Sequence, residues 1–168
     1  GSEMCIRDSH GPDVIRAVVS MVTTSSLCPN NLGQALVTPY LEDGTLERVC
    51  RETLTPFYRG QAEFALSLLP ELFGESIPWR VHKSEGAMFL WLWFEGLPIT
   101  CQELYERCKA RGCFVNPGHH FFFALPEEGE PWPHRHECIR ISFTQTEELL
   151  RKGLSIVADE VKKAYSHS

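Results

Sequence analysis

The longest apolar run in this chain covers residues 87–94, Ala-Met-Phe-Leu-Trp-Leu-Trp-Phe. It is far short of the ~18–20 residues that span a bilayer and has the length of a buried strand. Its alternation is imperfect and both faces are apolar. Such a strand belongs near the centre of a sheet covered on both sides. The neighbouring segments fit that frame. Residues 79–83 read as a partner strand across a turn at Ser84, Glu85 and Gly86. Residues 138–143 read as another strand, and 113–116 as a short one that runs into Pro117 and Gly118.

Helical signals surround these strands. Thr100 and Glu103 have capping-box spacing, with Ile99 and Leu104 placed as a hydrophobic staple. That helix should end at Arg111-Gly112, where glycine takes the left-handed position without a Cβ penalty. Thr144 and Glu147 make a second capping box before a helix with the stripe Leu150, Leu154, Val157 and Val161. Glu147 and Glu148 at its start and Lys162 and Lys163 at its end match the helix dipole.

Before residue 74 the pattern is helical throughout. Val14, Ile15, Val18, Val19 and Val22 share one face, residues 23–31 read as a loop, and a second helix is expected from 32 to 42. Asp43-Gly44 should break it, Thr45 can cap the next, and Pro56 should kink that helix or start a new turn. The expected organisation is therefore a foreign or disordered tail at 1–12, helices at 13–73 that lean on something else, and an α/β small domain at 74–168. Within the last, a small mixed sheet is packed by helices in an α+β arrangement. The apolar faces at 13–73 should stay exposed in this chain.

Sixteen Lys+Arg against twenty-two Asp+Glu leave a net charge of −6, which argues against a protein that tracks nucleic-acid phosphates. The seven cysteines are odd in number and contain no CxxC pair, so a reduced, cytoplasmic setting is expected. No secretory leader pattern opens the sequence.

Chemistry could reside in three places. Arg140 stands between Ile139 and Ile141, so it should point away from them. Its planar fork suits a carboxylate, although an ordinary ion pair is the commoner use of such a residue. The Pro117-Gly118 turn ends a strand, a place where sites often form. His134, His136 and Cys138 would share a face if the strand reached back to them, which suggests zinc without naming a fourth ligand. No phosphate-binding glycine motif, GxSxG or HExxH occurs. None of the five lysines, at 83, 109, 152, 162 and 163, has the apolar setting of a Schiff-base lysine.

Taken in order, five segments resemble the C-terminal part of the class I/II aminotransferases, pyridoxal-phosphate enzymes of fold type I. They are a Ser/Pro loop before Gln34, Leu41 to Gly44, Glu85 to Trp91, Val115 to Phe121 and Ile139 to Phe143. The Trp91-Leu-Trp-Phe94 strand and the Pro131-Trp-Pro-His134 loop are most similar to the valine–pyruvate branch of that family. The resemblance implies a substrate-binding role for Arg140, as the clamp on the α-carboxylate. It also implies one for Gly86, the small residue beside the substrate, and for Phe121, which closes the Pro-Gly motif. Asn30 and Asn31 fall where the family approaches the cofactor phosphate of a neighbouring subunit. The implied cofactor is pyridoxal 5′-phosphate and the implied state a homodimer. The implied reaction moves an amino group between a neutral amino acid and a 2-oxo acid. The family's Schiff-base lysine has no counterpart here, so the chain alone is expected to be inactive. The rival expectations are a non-catalytic dimerising or regulatory module of the same fold and a small zinc domain.

Overall fold

The computed structural model describes residues 12–26, 31–122 and 132–166. Two compact units divide between Cys50 and Arg51.

The first unit is helical: α1 (Pro12–Ser26), α2 (Asn31–Glu42) and α3 (Thr45–Val49). Helix α1 runs through Thr23 and Thr24, where a loop is expected. Their hydroxyls turn back and donate to the carbonyls of Val19 and Ser20, which lets small polar residues stay helical. Gly44 adopts φ 72°, as its place after α2 demands. The cap of α3 differs from the expected one. Gly44 is itself the N-cap, and the Asp43 carboxylate accepts from the Thr45 amide at 2.8 Å. That bond holds the Asp43 carboxyl below its usual range. The apolar residues of these helices remain in solvent, with Val19 57%, Met21 70% and Leu36 62% exposed.

The second unit holds the core. A π-helical turn, Cys50–Leu54, precedes α4 (Thr55–Phe73), with Pro56 in the first turn of α4 where its missing N–H costs nothing. Ala65, Leu68, Leu69 and Phe73 recur at helical spacing and are buried. Four strands follow, β1 (Trp79–Val81), β2 (Phe89–Phe94), β3 (Asn116–Pro117) and β4 (Cys138–Ser142), in the order β1-β2-β4-β3. Every ladder is antiparallel, where a mixed sheet is expected. The reason is topological. After β2 the chain crosses through α5 (Cys101–Ala110) to β3, which runs in the same direction as β2. β4 then inserts between them and runs the other way.

Strand lengths are shorter than the apolar runs. Ala87 takes φ 63°, which no extended strand allows, so β2 starts at Phe89. The Cys113 amide donates to the Cys108 carbonyl and closes α5, so β3 is reduced to two residues. Thr100 does cap α5, accepting from the Glu103 amide. The last helix, α7 (Glu147–Ser166), is capped by Thr146, not Thr144: its hydroxyl accepts from the Leu149 amide, while Thr144 is held by Ser142.

Helices α4, α5 and α7 cover one face of the sheet. Leu90, Leu92 and Phe94 of β2 and Ile139 and Ile141 of β4 meet Leu104, Leu154, Val157 and Val161 there. Each such side chain contributes roughly 1.5–3 kcal/mol by leaving water. Arg111 ties α5 to α7 through Asp159 at 3.0 Å and Glu160 at 2.8 Å. Among the described residues, the other face carries only the short helix His134–Glu137 and the turn Gly118–Phe121. Trp91 and Trp93 are half-buried there and Phe89 is 38% exposed, so β2 is central but its two faces differ in burial.

Candidate active site

The site lies on that second face. Strict alternation in β4 sends Ile139 and Ile141 into the core and Arg140 outward. The register sets Trp91 opposite Arg140 on one side and Asn116 on the other. Phe89, two residues before Trp91, shares the outer face. The Arg140 guanidinium carbon sits 4.2 Å from the Phe89 ring centre and 4.4 Å from that of Phe121. Two aromatic rings thus hold its planar group while its donors remain available.

Phe121 arrives through a 3-10 turn, Gly118–Phe121, that continues β3. This turn depends on the glycine. A Cβ on Gly118 would come within 2.5 Å of the Cys138 carbonyl oxygen and 2.7 Å of the Cys138 Cβ, so only Gly lets the turn lie against β4. Phe121 then meets Trp91 edge-on at 5.5 Å, and Phe122 lies 6.1 Å from the same indole. His134, on the short helix α6 (His134–Glu137), closes the layer against Trp93 at 4.8 Å and Phe122 at 5.8 Å. Glu137 pins α6 to the sheet. Its carboxylate accepts from Trp93 Nε1 at 2.7 Å and from the Gly96 amide at 3.0 Å.

Within this aromatic layer Arg140 makes no ion pair among the described residues, and its buried Nε has no hydrogen-bond partner among them. A buried donor left unpaired costs about 1–3 kcal/mol. A carboxylate satisfies that donor geometry well.

Gly86 is exposed, and a Cβ there would meet nothing within 4 Å, so packing inside this chain does not explain the glycine. Ala87 beside it holds the left-handed conformation at a cost of roughly 1–2 kcal/mol. Asn31 begins α2 and is exposed, in the other unit. Asn30 lies outside the described residues.

The three residues considered for zinc do not converge. His134 nitrogens lie 3.6 and 3.8 Å from Cys138 Sγ, and burial pushes the Cys138 thiol up to about 12. His136 stacks instead on His119, with centroids 6.1 Å apart, and His119 Nδ1 meets Cys101 Sγ at 3.3 Å. Burial, with His120, His136 and Arg135 adding to it, holds the His119 imidazole below its ordinary value.

The sequence reading missed Phe89 and Glu137, and it marked the Pro117-Gly118 turn without the reason that requires glycine there. Phe89 was hidden in an apolar run whose register only β4 defines. All five lysines are exposed. Lys83 pairs with Glu85, Lys109 with Glu106 and Lys163 with Glu160.

No family model matches the chain. Individual proteins do. Valine–pyruvate aminotransferase of Escherichia coli (strain K12) is 36% identical over 155 residues, 92% of this chain and 36% of that protein. The crystal structure of valine–pyruvate aminotransferase from Salmonella typhimurium LT2 superposes with a TM-score of 0.78 at 35% identity, covering 93% of this chain and 39% of that one. Kynurenine aminotransferase of Pyrococcus horikoshii, solved in complex with PMP, gives a TM-score of 0.69 at 27% identity over 90% of this chain and 35% of its own. The chain spans little more than a third of the length of these relatives. By sequence and by fold, it belongs to the fold type I aminotransferases and carries the small α/β domain of that fold.

Proposed function

We propose that this chain supplies the substrate-carboxylate seat of a pyridoxal-phosphate-dependent aminotransferase of the valine–pyruvate type. The observation that carries the reading is Arg140: a guanidinium held between Phe89 and Phe121, with no carboxylate against it among the described residues. An amino acid and the 2-oxo acid made from it share one carboxylate next to the reacting carbon. A single bidentate donor therefore serves both halves of a transamination. Valine, alanine and their oxo acids are neutral beyond that group, and the aromatic side chains around Arg140 offer no second charge to select an acidic side chain.

Pyridoxal phosphate, when bound, supplies the electron sink of such a reaction. The relative solved with PMP, its amino form, supports that cofactor. The residues described here fit the substrate and not the covalent attachment of the cofactor. All five lysines are exposed, and none has the buried, apolar surroundings that make an amine nucleophilic at neutral pH. This chain's own contribution is to bind and orient the carboxylate, with Gly86 leaving room beside it and Phe121 closing over the guanidinium. The helices of residues 13–73 would then face the rest of a larger, dimeric enzyme, and Asn30 and Asn31 are proposed as contacts to a neighbouring subunit's cofactor phosphate. The division proposed is a tail at 1–12, these helices at 13–73 and the small domain at 74–168. Free cysteines at 50, 101, 108, 113 and 138 support a reducing, cytoplasmic location.

The test is a transamination assay with valine, pyruvate and added pyridoxal phosphate. The chain alone should form no alanine, and measurable turnover would refute the assignment of roles. In an enzyme that contains this chain together with a Schiff-base lysine, Arg140→Met should raise KM for valine and for pyruvate alike. The exposed lysines also favour a second reading, a non-catalytic dimerising module of the same fold. That reading expects no KM effect because there is no turnover in any context.

A further inference from the structure

Three elements bring together metal-ligating side chains that the transamination reading does not use. Cys101 is the first residue of α5, immediately after its Thr100 cap, and is fully buried. His119 stands in the turn that follows β3, and His136 stands on α6. One ligand atom from each lies within 4.8 Å of the other two, the only such trio among the described residues. A tetrahedral zinc ion with bonds of ~2.3 Å to sulfur and ~2.0–2.1 Å to nitrogen places its ligand atoms roughly 3.3–3.7 Å apart. Cys101 Sγ and His119 Nδ1 already meet at 3.3 Å. His136 is exposed, so a rotation of its side chain completes the approach without disturbing the core.

We infer that Cys101, His119 and His136 form a zinc site with its fourth position open to water. This goes beyond the proposed function and does not depend on it. The chemistry of the donors supports zinc over calcium or magnesium, which prefer oxygen. Binding replaces the thiol proton, so each zinc ion taken up forms one Zn–S bond and releases one proton from sulfur. The fourth, open position distinguishes this arrangement from a closed structural site. Arg135 precedes His136 on α6, and its backbone carbonyl accepts from Cys101 Sγ at 3.8 Å.

The competing account is a plain hydrogen bond between a thiol and an imidazole. The experiment uses the metal-stripped 168-residue chain, titrated with zinc chloride against a chromophoric chelator and, in parallel, with cobalt chloride. The expected result is one equivalent bound, one proton released, and a thiolate-to-cobalt charge-transfer band. Cys101→Ser should abolish that band, and His136→Ala should weaken zinc binding at least about tenfold while keeping it. His134→Ala should change neither. Because His136 is exposed, its variant keeps the fold and carries the test even if Cys101→Ser does not. Absence of stoichiometric uptake overturns the proposal. So does a zinc affinity unchanged in His136→Ala, or a cobalt band that survives Cys101→Ser and disappears in Cys138→Ser.

Discussion

The two faces of the sheet are built from the same strands and obey different rules. On the core face Leu92 sits opposite Ile139 and Leu90 opposite Ile141, all buried against helices, and these side chains carry no polar group that needs a partner. On the outer face, one residue away in sequence, Trp91 sits opposite Arg140, whose buried Nε has no partner among the described residues. The core face is explained by the chain itself. The outer face is over-furnished for packing, since it stacks a cation between two rings and leaves its Nε without a partner among the described residues. A surface that is ordered but unsatisfied is how a binding site differs from a core.

The comparison breaks most visibly on the core side. Leu92→Ala should destabilise the second unit by about 2–5 kcal/mol, read from denaturant midpoints, because a fully buried side chain at the sheet centre leaves a cavity. Gly118→Ala should cost about 1–3 kcal/mol through overpacking against Cys138. Unlike Leu92→Ala, it should also disturb the outer face, visible as altered near-ultraviolet circular dichroism from Trp91. An intermediate effect comes from the α5–α7 clasp. Glu160 is buried against Lys163 and Arg111, which hold its carboxyl below the usual range. Its folded value is thus lower than its unfolded one. Its contribution is complete above the unfolded value of ~4.3 and is lost as pH falls through the lowered folded value. Glu160→Gln should therefore be less stable by about 1–2 kcal/mol at neutral pH and converge with the unmodified chain in acid. Arg140→Met should change stability least, by less than about 1 kcal/mol, because the lost ring contacts are offset by removal of an unpaired donor. A loss as large as that of Leu92→Ala would place Arg140 among the structural residues.

The core face was legible in the sequence, because its rules are periodic. The stripe Leu150, Leu154, Val157 and Val161, the Thr100 cap and the outward aim of Arg140 all follow from local spacing. The outer face was legible only in part. The order of motifs gave Arg140 and Phe121 their implied roles, but Phe89 needed the β2–β4 register. Gly118 needed the approach of Cys138, which is twenty positions away. The trio of Cys101, His119 and His136 comes from three elements, and adjacency in sequence pointed instead to His134, His136 and Cys138. The expected mixed sheet failed for a related reason: local patterns give strands, and only the insertion of β4 between β2 and β3 gives their directions.

The most direct test of the central claim observes Arg140 itself. The Nε–Hε resonance of Arg140 in the isotope-labelled chain can be followed as 2-oxoisovalerate is added, with its neutral amide as control. A saturable downfield shift, with a dissociation constant on the order of 10 mM and absent with the amide, is the predicted result for a preformed carboxylate seat outside its complete pocket. A resonance that does not move with the carboxylate, or moves equally with the amide, would contradict it.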